Sequence, residues 1–133
     1  MPNKEQMGEL IDKWSWLLEG LGKAKYKLYK YSRIYENILQ NSNKSSLKIL
    51  LPLTYRVLKS YSDINISRSA KNYIDIFNIE KNDIDHMDLD SYMSLLDAVS
   101  EMIIEKLNQE NISSIYRIQL GDTGESYKIS VAY

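Results

Sequence analysis

The chain has 133 residues, 44% hydrophobic and 26% charged, a composition that suits a single globular domain with one core and excludes wholesale disorder. It has no cysteine, which removes disulfides, thiolate metal sites and a cysteine nucleophile together, and no apolar run approaches the ~20 residues of a membrane span. The net charge of −1 hides a polarised chain: residues 23–59 carry nine basic side chains against one acid, Glu36, whereas residues 60–133 carry six bases against thirteen acids, a segregation that bears on partners rather than on fold.

The first residues, Met1-Pro2-Asn3-Lys4-Glu5-Gln6, contain no apolar leader stretch, so a soluble, intracellular, cytoplasmic protein is expected. From Met7 onward apolar residues recur at alternating intervals of three and four: Met7, Leu10, Trp14, Leu17, Leu21, Ala24, Leu28, Tyr31, Tyr35, Ile38. This heptad spacing predicts one long helix over about residues 4–40, with an interface seam carried by Leu10, Trp14, Leu17, Leu21, Leu28, Tyr31 and Tyr35. Gly20 and Gly22 weaken it, at about 1 kcal/mol each, but the preserved register argues for continuity. Beyond Gly22 the outward positions become Lys23, Tyr26, Tyr29, Lys30 and Arg33, with Lys27 flanking the seam. Cations interleaved with phenol rings are suited to nucleic acid, with Lys and Arg on phosphates and Tyr26 and Tyr29 stacking or hydrogen-bonding. The same pattern also describes a solvated face on which rings cover lysine stems.

Residues 41–46 read as a polar loop whose Ser45 or Ser46 offers a helix cap, followed by a helix over 52–61 with Pro52 in its first turn. After a connection at 62–66, a second helix is expected over 68–78, because Ala70, Tyr73, Ile74 and Phe77 share a helical face. The pair is a poor helix-turn-helix, since its connection of about six residues exceeds the usual three or four. The acids from Glu80 to Asp90 resemble a calcium loop only in composition. Counting from Asp83, Asp88 stands where the turn glycine belongs and Ser94 where the bidentate glutamate belongs. Asp88 instead reads as the cap of a helix over 89–110, apolar on one face through Leu89, Tyr92, Met93, Leu96, Val99, Ile103 and Leu107, with Asn111 ending it in a left-handed conformation. Residues 114–133 form a hairpin around Gly121-Asp122-Thr123-Gly124-Glu125. Tyr116, Ile118 and Leu120 alternate with Ile115, Arg117 and Gln119, and Tyr127, Ile129, Val131 and Tyr133 with Lys128, Ser130 and Ala132.

The expected fold is therefore a mainly α, α+β single domain: a helical bundle with a long N-terminal heptad helix and a C-terminal β-hairpin packed on the last helix. One histidine, no nucleophile–base arrangement and no cofactor fingerprint argue against an enzyme, a metal site or a cofactor. The expected function is that of an accessory or assembly subunit that self-associates or docks through the heptad seam and contacts nucleic acid with its basic, tyrosine-rich helical face. The alternative is a pure protein–protein interaction module, structural or inhibitory, of the kind a virus or mobile element carries.

Overall fold

The computed structural model describes residues 25–61 and 63–133. In chain order the elements are α1 (Lys25–Gln40), α2 (Lys44–Ser60), β1 (Asn65–Ile66), β2 (Tyr73–Glu80), α3 (Lys81–Asp85), α4 (Leu89–Gln109), β3 (Ser114–Ile115), β4 (Arg117–Asp122) and β5 (Ser126–Ala132). The architecture is a mixed α+β domain, not the expected coiled-coil helical bundle. Its longest described helix is α4, at 21 residues. Of the heptad helix, residues 4–24 lie outside the described residues; what is described begins at Lys25 and stops at Gln40.

The hairpin expected at 114–133 is two thirds of a sheet. β5 lies in the middle of the order β2-β5-β4, antiparallel to both neighbours. The third strand, β2, occupies residues for which a helix over 68–78 was expected. Tyr73-Ile-Asp-Ile-Phe-Asn-Ile-Glu80 satisfies both periods: Ala70, Tyr73, Ile74 and Phe77 make a helical face, while β-branched and aromatic residues suit a pleat. Pairing along β5 decides it, from Tyr73 opposite Ala132 to Glu80 opposite Ser126, with a bulge at Ile76. A second, two-stranded sheet pairs β1 and β3 in parallel, with Asn65 N–H donating to Ser113 O and Ser67 N–H to Ile115 O.

The helix expected at 52–61 starts earlier, at Lys44. Its cap is Asn43, whose Oδ1 accepts from Ser46 N–H at 2.9 Å. Pro52 is thus interior, where it has no N–H to give to the carbonyl of Lys48. That carbonyl accepts the Tyr92 hydroxyl of α4 instead, at 2.6 Å. Both ends of α4 follow the sequence reading. Asp88 Oδ1 accepts from Ser91 N–H at 2.7 Å, a bond that holds the Asp88 carboxyl below its ordinary pKa. At the other end Asn111 takes φ 55°, Ile112 N–H reaches back to Leu107 O at 2.8 Å, and both apolar side chains are buried; this is the Schellman geometry.

The core lies between the helices and one face of the three-stranded sheet. Ile34 and Ile38 of α1, Leu50, Leu53, Val57 and Leu58 of α2, Leu96, Val99, Ile103 and Leu107 of α4, and Ile118, Ile129 and Val131 of the sheet are all fully buried. At ~1.5–3 kcal/mol per buried aliphatic side chain, this cluster holds the layers together. Arg56 adds a polar tie between α2 and α4, with Nε 2.6 Å from Asp97 Oδ1 and Nη1 bonded to Pro52 O. No helix among the described residues is long and apolar enough to cross a membrane.

Candidate functional site

Period-two alternation in the three strands sends their polar residues to the face away from the core. By register, Tyr73, Ala132 and Arg117 form one row across that face, and Asp75, Ser130 and Gln119 the next. Small side chains on the central strand leave a hollow between taller neighbours. Two depressions follow, of about 260 Å3 toward Ala70–Asn72 and about 360 Å3 toward Gly121 and Asn41. Tyr73, Arg117 and Gln119 line both, so they form one continuous trough.

The walls are ordered by their own hydrogen bonds. Arg117 Nε donates to Gln119 Oε1 at 3.1 Å, and Gln119 Nε2 donates to Ser130 Oγ at 3.1 Å. The Arg117 guanidinium stands 5.4 Å from the Tyr116 ring centre, a cation–π distance. Lys128 Nζ lies 3.1 Å from Asp75 Oδ2 across the strands. Tyr73 is 68% exposed, a large aromatic left uncovered at the side of the trough. Arg68 and Lys71, both exposed, stand in the loop that leads into β2. Lys71, Arg117 and Lys128 line the trough, whose own wall carries one carboxylate, Asp75. The far end of the sheet is closed by a different pair: Lys81 Nζ lies 2.6 Å from Asp122 Oδ1. Their hydrogen bond raises the lysine pKa and lowers that of the carboxyl.

The residues singled out in the sequence fall elsewhere. Lys23 lies outside the described residues, as do Leu10, Trp14, Leu17 and Leu21 of the seam. Tyr26, Lys27, Leu28 and Tyr29 belong to α1, but the described side chains begin at Lys30. Lys30 Nζ donates to Ile64 O at 2.6 Å and Arg33 Nη1 reaches Ile66 O at 3.5 Å, so both cations fasten α1 to the segment around β1. Tyr31 and Tyr35 of the seam are 1% and 4% exposed and fill the chain's own core. The basic stretch is also divided between two helices, and Arg56 is held by Asp97. The trough residues Arg117, Gln119, Lys128 and Ser130 could be read from hairpin alternation. Tyr73 could not, because it was assigned to a helix.

Among the described residues no three His, Cys, Asp or Glu side chains gather where a metal ion would be held. Between α2 and α4 a further depression of about 340 Å3 is lined by Arg56, Lys59, Asp97 and Glu101 with Tyr55, Ser60 and Ser100; the Arg56–Asp97 pair crosses it and accounts for its polarity. No family model, curated protein or solved structure matches this chain.

Proposed function

We propose that the protein is an accessory subunit that contacts single-stranded nucleic acid across the open face of its three-stranded sheet. The observation that carries this reading is Tyr73, 68% exposed beside the small Ala132, with Arg117 at the other end of the same row. A base stacked on a phenol ring gains about 1–3 kcal/mol whatever its identity, while nearby cations neutralise the backbone. Arg117 and Lys71 line the trough beside Tyr73, where phosphates flanking such a base would run. Asn72 supplies an amide group for a base edge. Contact thus moves from the helical face of α1 to the sheet, because Lys30 and Arg33 are engaged with backbone carbonyls. Docking through the heptad seam is no part of the reading, since Tyr31 and Tyr35 lie inside.

Fluorescence anisotropy with labelled oligothymidylate and oligouridylate tests it. The wild type is expected to bind at low salt and to weaken steeply as salt rises. Tyr73→Ala should reduce affinity roughly tenfold, the equivalent of about 1.4 kcal/mol of lost stacking, and Arg117→Glu should reduce both affinity and salt slope. Absence of binding at low salt, or equal binding by wild type and both variants, refutes the proposal.

A further inference from the structure

We infer that the Asp75–Lys128 pair in the trough reads a base edge and favours bases that carry an exocyclic amino group, hence cytosine over uracil among the pyrimidines. The inference rests on the proposed contact with single-stranded nucleic acid and gives the two ends of the trough different tasks. The end toward Ala70–Asn72 is lined by Lys71 and Arg117 and, among the described residues, by no carboxylate. A phosphate gains most there. Arg117 and Tyr73 are common to both ends. Past them, the end toward Gly121 and Asn41 is lined by Lys128 and Asp75, with Nζ 3.1 Å from Oδ2. The pair carries no net charge, so a phosphate gains little from it. The hollow of about 360 Å3 at this end has room for a base whose ring lies on Tyr73.

The neighbouring polar groups are largely engaged. Gln119 accepts from Arg117 and donates to Ser130, and Asn41 Nδ2 donates to Asn37 O, which leaves Asn41 its acceptor oxygen. The ion pair is not used up in the same way. It occupies one carboxylate oxygen and one of three ammonium hydrogens. Asp75 Oδ1 accepts no hydrogen bond among the described residues. The two side chains are 48% and 46% exposed, and an exposed pair is weak enough to share its hydrogen bonds with a ligand. An acceptor and a donor therefore line the hollow side by side. Cytosine presents the matching pattern, an amino N4–H for Asp75 next to a ring N3 for Lys128, and carboxylates pair with that amino group elsewhere in nucleic-acid recognition. Adenine repeats the pattern with N6–H and N1. Uracil offers a carboxylate only a ring N–H set between two carbonyl oxygens, and these repel it.

Labelled nonamers of cytidylate and uridylate, equal in length, charge and ring size, test this by anisotropy at neutral pH. Oligocytidylate is expected to bind roughly fivefold more tightly, the lower end of what a hydrogen bond to a charged group contributes. Asp75→Ala removes the acceptor and frees Lys128 for phosphate. Both nonamers should then bind at least as tightly as they do to the wild type, with the preference gone; a merely structural role for Asp75 would weaken both instead. Lys71→Ala should weaken both equally and leave their ratio unchanged, since its task is phosphate. Equal binding of the two nonamers by the wild type, tighter binding of oligouridylate, weakening of both by Asp75→Ala, or a preference that survives it overturns the inference while leaving the proposed function standing. A ratio altered by Lys71→Ala overturns the division of the trough into two ends. Absence of binding by either nonamer at low salt overturns the inference and the proposed function together.

Discussion

Pro52 shows how one residue's defect is repaired from a distant element. At the ninth position of α2 it cannot bond the Lys48 carbonyl, and the Tyr92 hydroxyl supplies that bond from α4. Tyr92→Phe should cost about 1 kcal/mol, the net worth of one hydrogen bond. In a Pro52→Ala background the alanine N–H serves the same carbonyl, so the second substitution should cost markedly less. Urea denaturation of the four proteins of this cycle measures the coupling, and equal costs in both backgrounds would show that the two residues are independent. Tyr35 offers a contrasting case, a hydroxyl that is buried with no hydrogen-bond partner among the described residues. Replacing it with Phe is expected to leave stability unchanged or raised, because the desolvated oxygen is removed with no bond lost.

At the scale of elements, legibility followed how many local signals agreed. For α4 the apolar stripe, the Asp88 cap and the Asn111 stop all pointed one way, and the helix ends within a residue of its expected limit. The left-handed φ at Asn111 makes the stop testable: Asn111→Gly should be neutral or stabilising, whereas Asn111→Val should lower the thermal midpoint by several degrees, as a β-branched residue there costs about 1–2 kcal/mol. Similar loss from both would mean that the side chain, not the backbone, matters. β2 was illegible because its local signals conflict, and its partner lies some fifty residues further along the chain. The heptad seam is described only in its last part. A repeat reports that a face is buried but not against what, and Tyr31 and Tyr35 are covered by the chain itself. Of the candidate site, the β4 and β5 residues were visible in the alternation, but the aromatic centre on β2 was hidden.

The molecule as a whole has stability limits set by opposite groups at the two ends of the pH scale. Burial raises the pKa of the Tyr35 and Tyr92 hydroxyls, so the folded protein keeps them protonated where the unfolded chain ionises. That contribution is intact below about pH 10 and is lost as pH rises beyond it. Asp88 and Asp122 have lowered pKa values, the first through Ser91 and the second through Lys81, so their contribution is present above about pH 4 and disappears as pH falls. Urea midpoints across pH should therefore form a plateau with two falling limbs, and Tyr35→Phe should flatten only the alkaline limb. An unchanged alkaline limb would show that Tyr35 is not its source. The position of β5 also has a kinetic consequence. Its partnership with β4 closes a tight turn and can form within microseconds, whereas β2 must return across α3 and α4. Until it does, residues 68–78 obey their own spacing, and that spacing favours a coil of the other kind. Refolding should accordingly pass through an early state richer in helix than the finished protein, visible as an overshoot in far-ultraviolet ellipticity that decays as the third strand arrives.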